Sequence, residues 1–163
     1  MTFKTSLDSL ARGATISVSL LFAAIIICLQ IALNDKPGGG VTVIVISLML
    51  LLIYGGAYLY RPLHYDLNSR ELVIHRPLNP VVIPREDIEG VQLVDATEMK
   101  GTIRIFGVGG LFGYYGQFLN SRLGSMTWYA TRRNKMVLLH TRDNTKIVLS
   151  PDEPEVFVSQ FLF

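Results

Sequence analysis

The residues with the most chemical potential lie in the last hundred positions. The stretch Gly107-Val108-Gly109-Gly110-Leu111-Phe112-Gly113-Tyr114-Tyr115-Gly116 has the composition of a phosphate cradle. Such a cradle needs Gly-x-Gly-x-x-Gly, or Gly-Lys-Ser/Thr leading into a helix, so that backbone N–H groups converge on the phosphate. Here Phe112 occupies the last glycine position of the first pattern, the second pattern is missing, and no helical periodicity follows. Nucleotide binding is not expected, nor any other cofactor. The glycines instead predict a loop with positive φ angles or close backbone approaches. Phe112, Tyr114 and Tyr115 sit on that frame as candidates for burial under the β structure or for contact with a bilayer or partner.

The other reactive types are dispersed. His64, His75 and His140 lie far apart in strand-like segments with no metal-ligand spacing between any pair, so no metal site is expected. Asp87 and Glu89 belong with Glu86, Asp95 and Glu98 to a solvated acidic stretch rather than an acid–base pair. No serine stands in a Gly-x-Ser-x-Gly elbow. Cys28 is the single cysteine, so neither an intramolecular disulfide nor a thiolate metal cluster is available. The expectation is a protein that is not an enzyme. Arg122, Arg132, Arg133 and Lys135 form the densest basic group, with Arg132-Arg133 expected in a hairpin turn. Anionic headgroups would attract each such residue by about 1 kcal/mol near a membrane; a solvated turn is the plainer alternative.

The elements that carry these residues divide sharply. Half of the 163 residues are hydrophobic and only 17% are charged, against about 25% in ordinary soluble domains. The excess is concentrated in two uncharged runs, Ala14–Leu33 and Val41–Tyr60. Each matches the roughly 20 residues of helix that cross a bilayer core. Residues 34–40, Asn-Asp-Lys-Pro-Gly-Gly-Gly, make a short polar turn between them. Lys4 and Arg12 precede the first run and Arg61, Arg70 and Arg76 follow the second, while the turn has only Lys36. The positive-inside rule then puts both termini in the cytoplasm and the turn outside, in a plasma (inner) membrane. A cleaved leader is not expected, because the first run is longer than a signal peptide's apolar core and ends in a poor cleavage site. Neither run contains an ionisable residue, which argues against a transport path. Gln30, Thr42 and Ser47 are polar groups able to bond across the pair, and Gly55-Gly56-Ala57 offers a smooth patch for close helix contact.

After Arg61 the pattern turns to short strands with period two: 63–67, 71–76, an edge strand near 81–83 among three prolines, 90–95, 102–106, 125–131, 136–141 and 146–149. Asn68-Ser69 and Asp143-Asn144 are turn signals, and 85–89 reads as a turn or helical bend. Ser150-Pro151-Asp152-Glu153 predicts a helix start with Ser150 as N-cap, followed by a stripe of Val156, Phe157, Gln160 and Phe161. The polar part carries 12 Lys/Arg and 11 Asp/Glu, too balanced to attract nucleic acid.

Residues 61–160 resemble the bacterial PH-like (pleckstrin-homology-like) domain family. The resemblance rests on Tyr65-Asp66-Leu67, Ile83-Pro84-Arg85-Glu86-Asp87-Ile88, Gly107–Gly116, Tyr129-Ala130-Thr131 and Ser150-Pro151-Asp152-Glu153-Pro154. It implies a partly open barrel of about seven strands closed by a C-terminal helix, and no catalytic residue. The expected organisation is a flank (1–13), a first transmembrane helix (14–33), a turn (34–40), a second transmembrane helix (41–60) and a cytoplasmic PH-like domain (61–163). Three roles remain: a binding or scaffold module for another membrane protein or for itself, a lipid sensor folding onto the inner leaflet through Phe112, Tyr114 and Arg132-Arg133, and an accessory subunit of a transport or envelope complex.

Overall fold

The computed structural model describes residues 1–161. Two long helices, α1 (Ser9–Leu33) and α2 (Gly39–Leu59), are each long and apolar enough to cross a membrane. Helix α1 starts five residues before the apolar run because the Asp8 carboxylate accepts the Ala11 N–H at 2.7 Å, capping the first turn. Between the helices Gly38 takes φ +76°, the left-handed angle that glycine adopts freely. The hydroxyls of Ser19 and Tyr54 meet at 2.8 Å across the pair. Thr42 instead bonds back to the Gly38 carbonyl in its own helix, and no atom of α1 approaches the Gly55–Gly56 patch.

The segment before α1 is not a loose flank. Its strand β1 (Thr2–Lys4) pairs antiparallel with β2 (His64–Leu67), the first strand after α2. Strands β3 (Glu71–His75) and β4 (Val81–Pro84) complete a four-stranded sheet in the order β1-β2-β3-β4. The proline-flanked β4 is an edge strand as expected, and a 3-10 turn at Arg85–Asp87 leads on.

The second sheet comprises β5 (Ile88–Val94), β6 (Ile103–Gly110), β7 (Gly113–Asn120), β8 (Gly124–Ala130), β9 (Met136–Thr141) and β10 (Lys146–Leu149). Its order is β5-β9-β10-β8-β7-β6. Two expectations change here. The glycine-rich stretch is not a loop but most of a β-hairpin, β6–β7, in which Gly107 faces Gly116 and Gly110 faces Gly113. And β8 and β9 are not hairpin neighbours: β10 lies between them, parallel to β8 and antiparallel to β9. Arg132-Arg133 therefore lies in a crossover. The β9–β10 turn does use Asn144 at φ +62°.

The inner faces of both sheets meet in a core of Phe3, Tyr65, Leu72, Ile74, Leu139 and Leu149. Helix α3 (Pro154–Ser159) closes one end with Phe157, fully buried and edge-on to Phe3 at 5.0 Å. The expected cap is displaced. Ser150 is buried and its hydroxyl accepts the Thr131 N–H at 2.7 Å, so it has no helix to cap, and Pro154 is the first helical residue. The other face of the large sheet buries Tyr114, Phe118, Trp128, Met136 and Leu138 against Ala11 and Met99.

Tyr65 joins the two sheets. Its buried hydroxyl donates to the Tyr129 carbonyl and accepts the Ser150 N–H at 3.1 Å. Burial pushes this phenol up to about 12. An unfolded tyrosine ionises near 10, so the contribution is intact below that pH and is lost as the pH climbs toward 12. In denaturant melts read by the single tryptophan, Tyr65 should contribute a fall in stability of up to about 1.4 kcal/mol per pH unit there. Tyr65→Phe should remove that component while costing about 1–3 kcal/mol at neutral pH, because it strands a buried N–H and a carbonyl.

Candidate functional site

The junction between helices and domain gathers most of the aromatic and basic residues singled out in the sequence. The tip of the β6–β7 hairpin, Leu111–Phe112, is driven between α1 and α2. Phe112 adopts φ +59°, a conformation that costs a non-glycine residue about 1–2 kcal/mol. Its surroundings offset the cost. Its N–H donates to the Thr15 hydroxyl of α1 at 2.9 Å. Its ring lies edge-on to Tyr54 at 5.0 Å and Tyr58 at 5.5 Å, both on α2. The Arg61 guanidinium sits 4.3 Å from the Tyr58 ring and 5.6 Å from Phe112, an arrangement that draws on the negative face of each ring.

The next two aromatic residues alternate across the sheet, as a strand requires, and so reach different helices. The Tyr115 hydroxyl donates to the Ala57 carbonyl near the end of α2. The Tyr114 hydroxyl donates to both Asp8 carboxylate oxygens, at 3.2 and 3.3 Å, at the start of α1. Burial raises both phenols, Tyr114 to about 12 with the Asp8 charge assisting. Phe112, Tyr114 and Tyr115 are thus buried in contacts within the chain, with Tyr115 also lining the cleft between α2 and the large sheet. Gly56 and Ala57 line the side of α2 that looks toward the large sheet, and Gly55 faces open space.

The basic pair is likewise engaged at home. Arg132 pairs with Asp152 at 3.0 Å and donates to the Pro151 carbonyl. Asp152 also accepts the Ser6 N–H and hydroxyl, at 3.0 and 2.8 Å. The Arg133 guanidinium lies 4.7 Å from the Tyr114 ring, and the Arg133 backbone N–H donates to the Asp8 carboxylate at 3.2 Å. The crossover therefore holds the segment that leads into α1.

Asp8 is the residue that sequence reasoning missed, although an acidic residue just before an apolar helix is a cap signal. Asp8→Ala should cost about 2–4 kcal/mol, adding a lost cap to an unpartnered buried Tyr114 hydroxyl. Asp8→Asn should recover most of the cap. Hydrogen exchange over residues 9–15 reads the difference.

Two surfaces remain open at the junction. One is a cleft of about 1020 Å³ between α2 and the large sheet, lined by Gly56, Tyr60, Arg76, Phe106, Gln117 and Tyr129 among others. Arg76 stands 5.5 Å from the rings of both Tyr60 and Tyr129. The other is β6 itself, the unpaired edge of the six-stranded sheet, where Ile103, Ile105 and Phe106 are 59%, 57% and 76% exposed. A bulge between Arg104 and Phe106 breaks the pairing of β6 with β7 at Ile105. His64 and His75, expected to be unrelated, stand opposite each other across β2 and β3.

Residues 63–162 match the family model described as bacterial PH domain. No curated protein and no solved structure matches the chain.

Proposed function

The chain belongs to the bacterial PH domain family, and from that premise we propose that it is a non-enzymatic binding module that engages another membrane protein through the β6 edge. In this reading α1 and α2 cross the plasma membrane and both termini are cytoplasmic. The flanking Lys/Arg bias supports that orientation, and the β1–β2 pairing supports a shared side for the two flanks.

The observation that carries the proposal is the apolar, unpaired edge of β6. Natural edge strands are blunted by charge, proline, brevity or a bulge, and here only the bulge at Ile105 applies in full. This one is eight residues long, with Arg104 as its only charged side chain. Free backbone groups beside exposed Ile103, Ile105 and Phe106 suit the addition of a partner's strand. The aromatic clamp holds the edge at a fixed place beside the helices, so a partner anchored in the same bilayer meets it without a search through the cytoplasm.

The test is co-purification of the full chain from gently solubilised membranes, compared with Ile105→Lys and Phe106→Asp chains. Loss of a stoichiometric protein partner in both, with Trp128 fluorescence unchanged, is the expected result. Equal recovery by the variants, or a self-complex only, overturns it.

The cleft favours a second reading. Its helix wall includes Ile53 and Gly56, and Arg76 supplies a cation opposite, which suits a phospholipid of the inner leaflet. Native mass spectrometry should then show a bound phospholipid that Arg76→Ala releases; retention by the variant removes this reading.

A further inference from the structure

We propose that His64, Asp66 and His75 form a binding site for a divalent transition-metal ion of the zinc class, on the outer face of the small sheet at the root of the helical hairpin. The three side chains are brought together by register. His64 and His75 are direct cross-strand partners on β2 and β3, and Asp66 lies two residues along β2 on the same face. The opposite face carries Tyr65, Leu67, Leu72 and Ile74 into the core. A slip of one residue would bury both histidines and the aspartate, so the grouping is pinned by the hydrophobic pattern.

The donor geometry fits an ion. His75 Nε2 lies 2.9 Å from Asp66 Oδ2, and His64 Nε2 lies 3.7 Å from the same oxygen. The imidazole rings are stacked, 4.3 Å apart and 13° from parallel. One donor atom from each residue falls within 4.8 Å of the others. Ligands about 2.1 Å from a tetrahedral zinc ion are about 3.4 Å from one another, so small side-chain rotations close the triangle.

The surroundings match what ligands require. The second Asp66 oxygen accepts the Thr2 hydroxyl at 2.5 Å, the outer-shell bond that orients a ligating carboxylate. Two neutral imidazoles and one carboxylate suit zinc, copper, nickel or cobalt and disfavour magnesium and calcium, which prefer oxygen donors. Side-chain exposures of 35–37% leave room for solvent in the remaining coordination positions and allow the ion to exchange. Lys4, opposite His64 in β1, is the nearest cation in register and tempers the affinity. A bound ion would tie β2 to β3 and, through Thr2, to β1. Those are the strands that enter α1 and leave α2.

The test uses the full chain in detergent micelles or nanodiscs with no histidine tag, titrated with zinc chloride. Calorimetry should give one site. Asp66→Asn and His75→Ala should each weaken it at least tenfold, Thr2→Val should weaken it about tenfold, and His140→Ala should leave it unchanged. Side-chain NMR of the unmodified protein supplies a check that no folding defect can confuse. Zinc should shift the His64 and His75 signals and spare His140. No saturable binding, binding that survives His75→Ala, or equal shifts at all three histidines overturns the proposal.

Discussion

A Gly116→Val chain should lose about 3–5 kcal/mol of stability, a large share of the roughly 5–15 kcal/mol that holds a domain folded. Gly116 adopts φ +118°, and a Cβ there would lie 2.4 Å from the Phe106 carbonyl oxygen and 2.8 Å from the Gly107 Cα. Gly107 makes the reciprocal demand. At φ +110° its Cβ would meet the Tyr115 carbonyl oxygen at 2.3 Å and the Gly116 Cα at 2.8 Å. Every obstructing atom is backbone, so no side chain can swing aside. The two glycines are register partners, which makes this a single close crossing of strands rather than two separate requirements. Gly101→Ala is the comparison. It shares a positive φ, +81°, but faces open space, and should cost only about 1–2 kcal/mol. Thermal or denaturant unfolding read by Trp128, buried against Phe118 at 4.6 Å, measures both. Equal losses at the two positions would show that the close crossing contributes nothing.

Phe112→Ala should separate the domain from the helices while leaving the domain folded. The ring is buried between Tyr54 and Tyr58, and truncating a buried phenylalanine costs about 3–5 kcal/mol. Here that loss falls on the docking of the hairpin tip rather than on either sheet core, because the ring touches helix residues. Alanine also remains strained at φ +59°, so nothing offsets the loss. The expected signature is split. Trp128 emission should be unchanged, while hydrogen exchange rises at residues 110–115 and 54–61. Phe112→Gly, which relieves the backbone but not the contact, should fall between the two. A loss of Trp128 burial in the alanine chain would mean that the tip stabilises the domain itself.

How far the sequence anticipates this structure depends on the range of the interactions involved. The helices were legible because their signal is local: two uninterrupted apolar runs, Ala14–Leu33 and Val41–Tyr60, separated by a polar turn rich in glycine; the extra first turn capped by Asp8 was not. Strand β1 was not, since three residues become a strand only by pairing with His64–Leu67, more than fifty positions away. The glycine-rich stretch misled in an instructive way. Positive φ and close approach were foreseen, but glycine content was read as a loop when it marks paired strands pressed together. Ser150 had every local feature of an N-cap, yet a buried N–H at Thr131 claimed its hydroxyl. Phe112, Tyr114 and Tyr115 stand out in the sequence as aromatic residues on a glycine frame, but whether such a cluster grips a stranger or its own chain is decided by tertiary contacts. The His64–Asp66–His75 group was within reach. It needed the turn centred on Ser69-Arg70, which sets His64 opposite His75; counting from Asn68-Ser69 sets His64 opposite Val73, and spacing along one strand alone conceals the pair.

The pairing of β1 with β2 has a consequence for biogenesis. Residues 2–4 are made before both long helices, but their strand partner is made only after them. If one helix failed to enter the bilayer, the two strands would be stranded on opposite sides of it and the small sheet could not close. In the proposed topology, with α1 and α2 both spanning the bilayer, completion of that sheet reports that the helical pair has been threaded in and back out, and a misinserted chain would display Phe3, Tyr65 and Ile74 as an uncovered apolar surface for proteolysis to find.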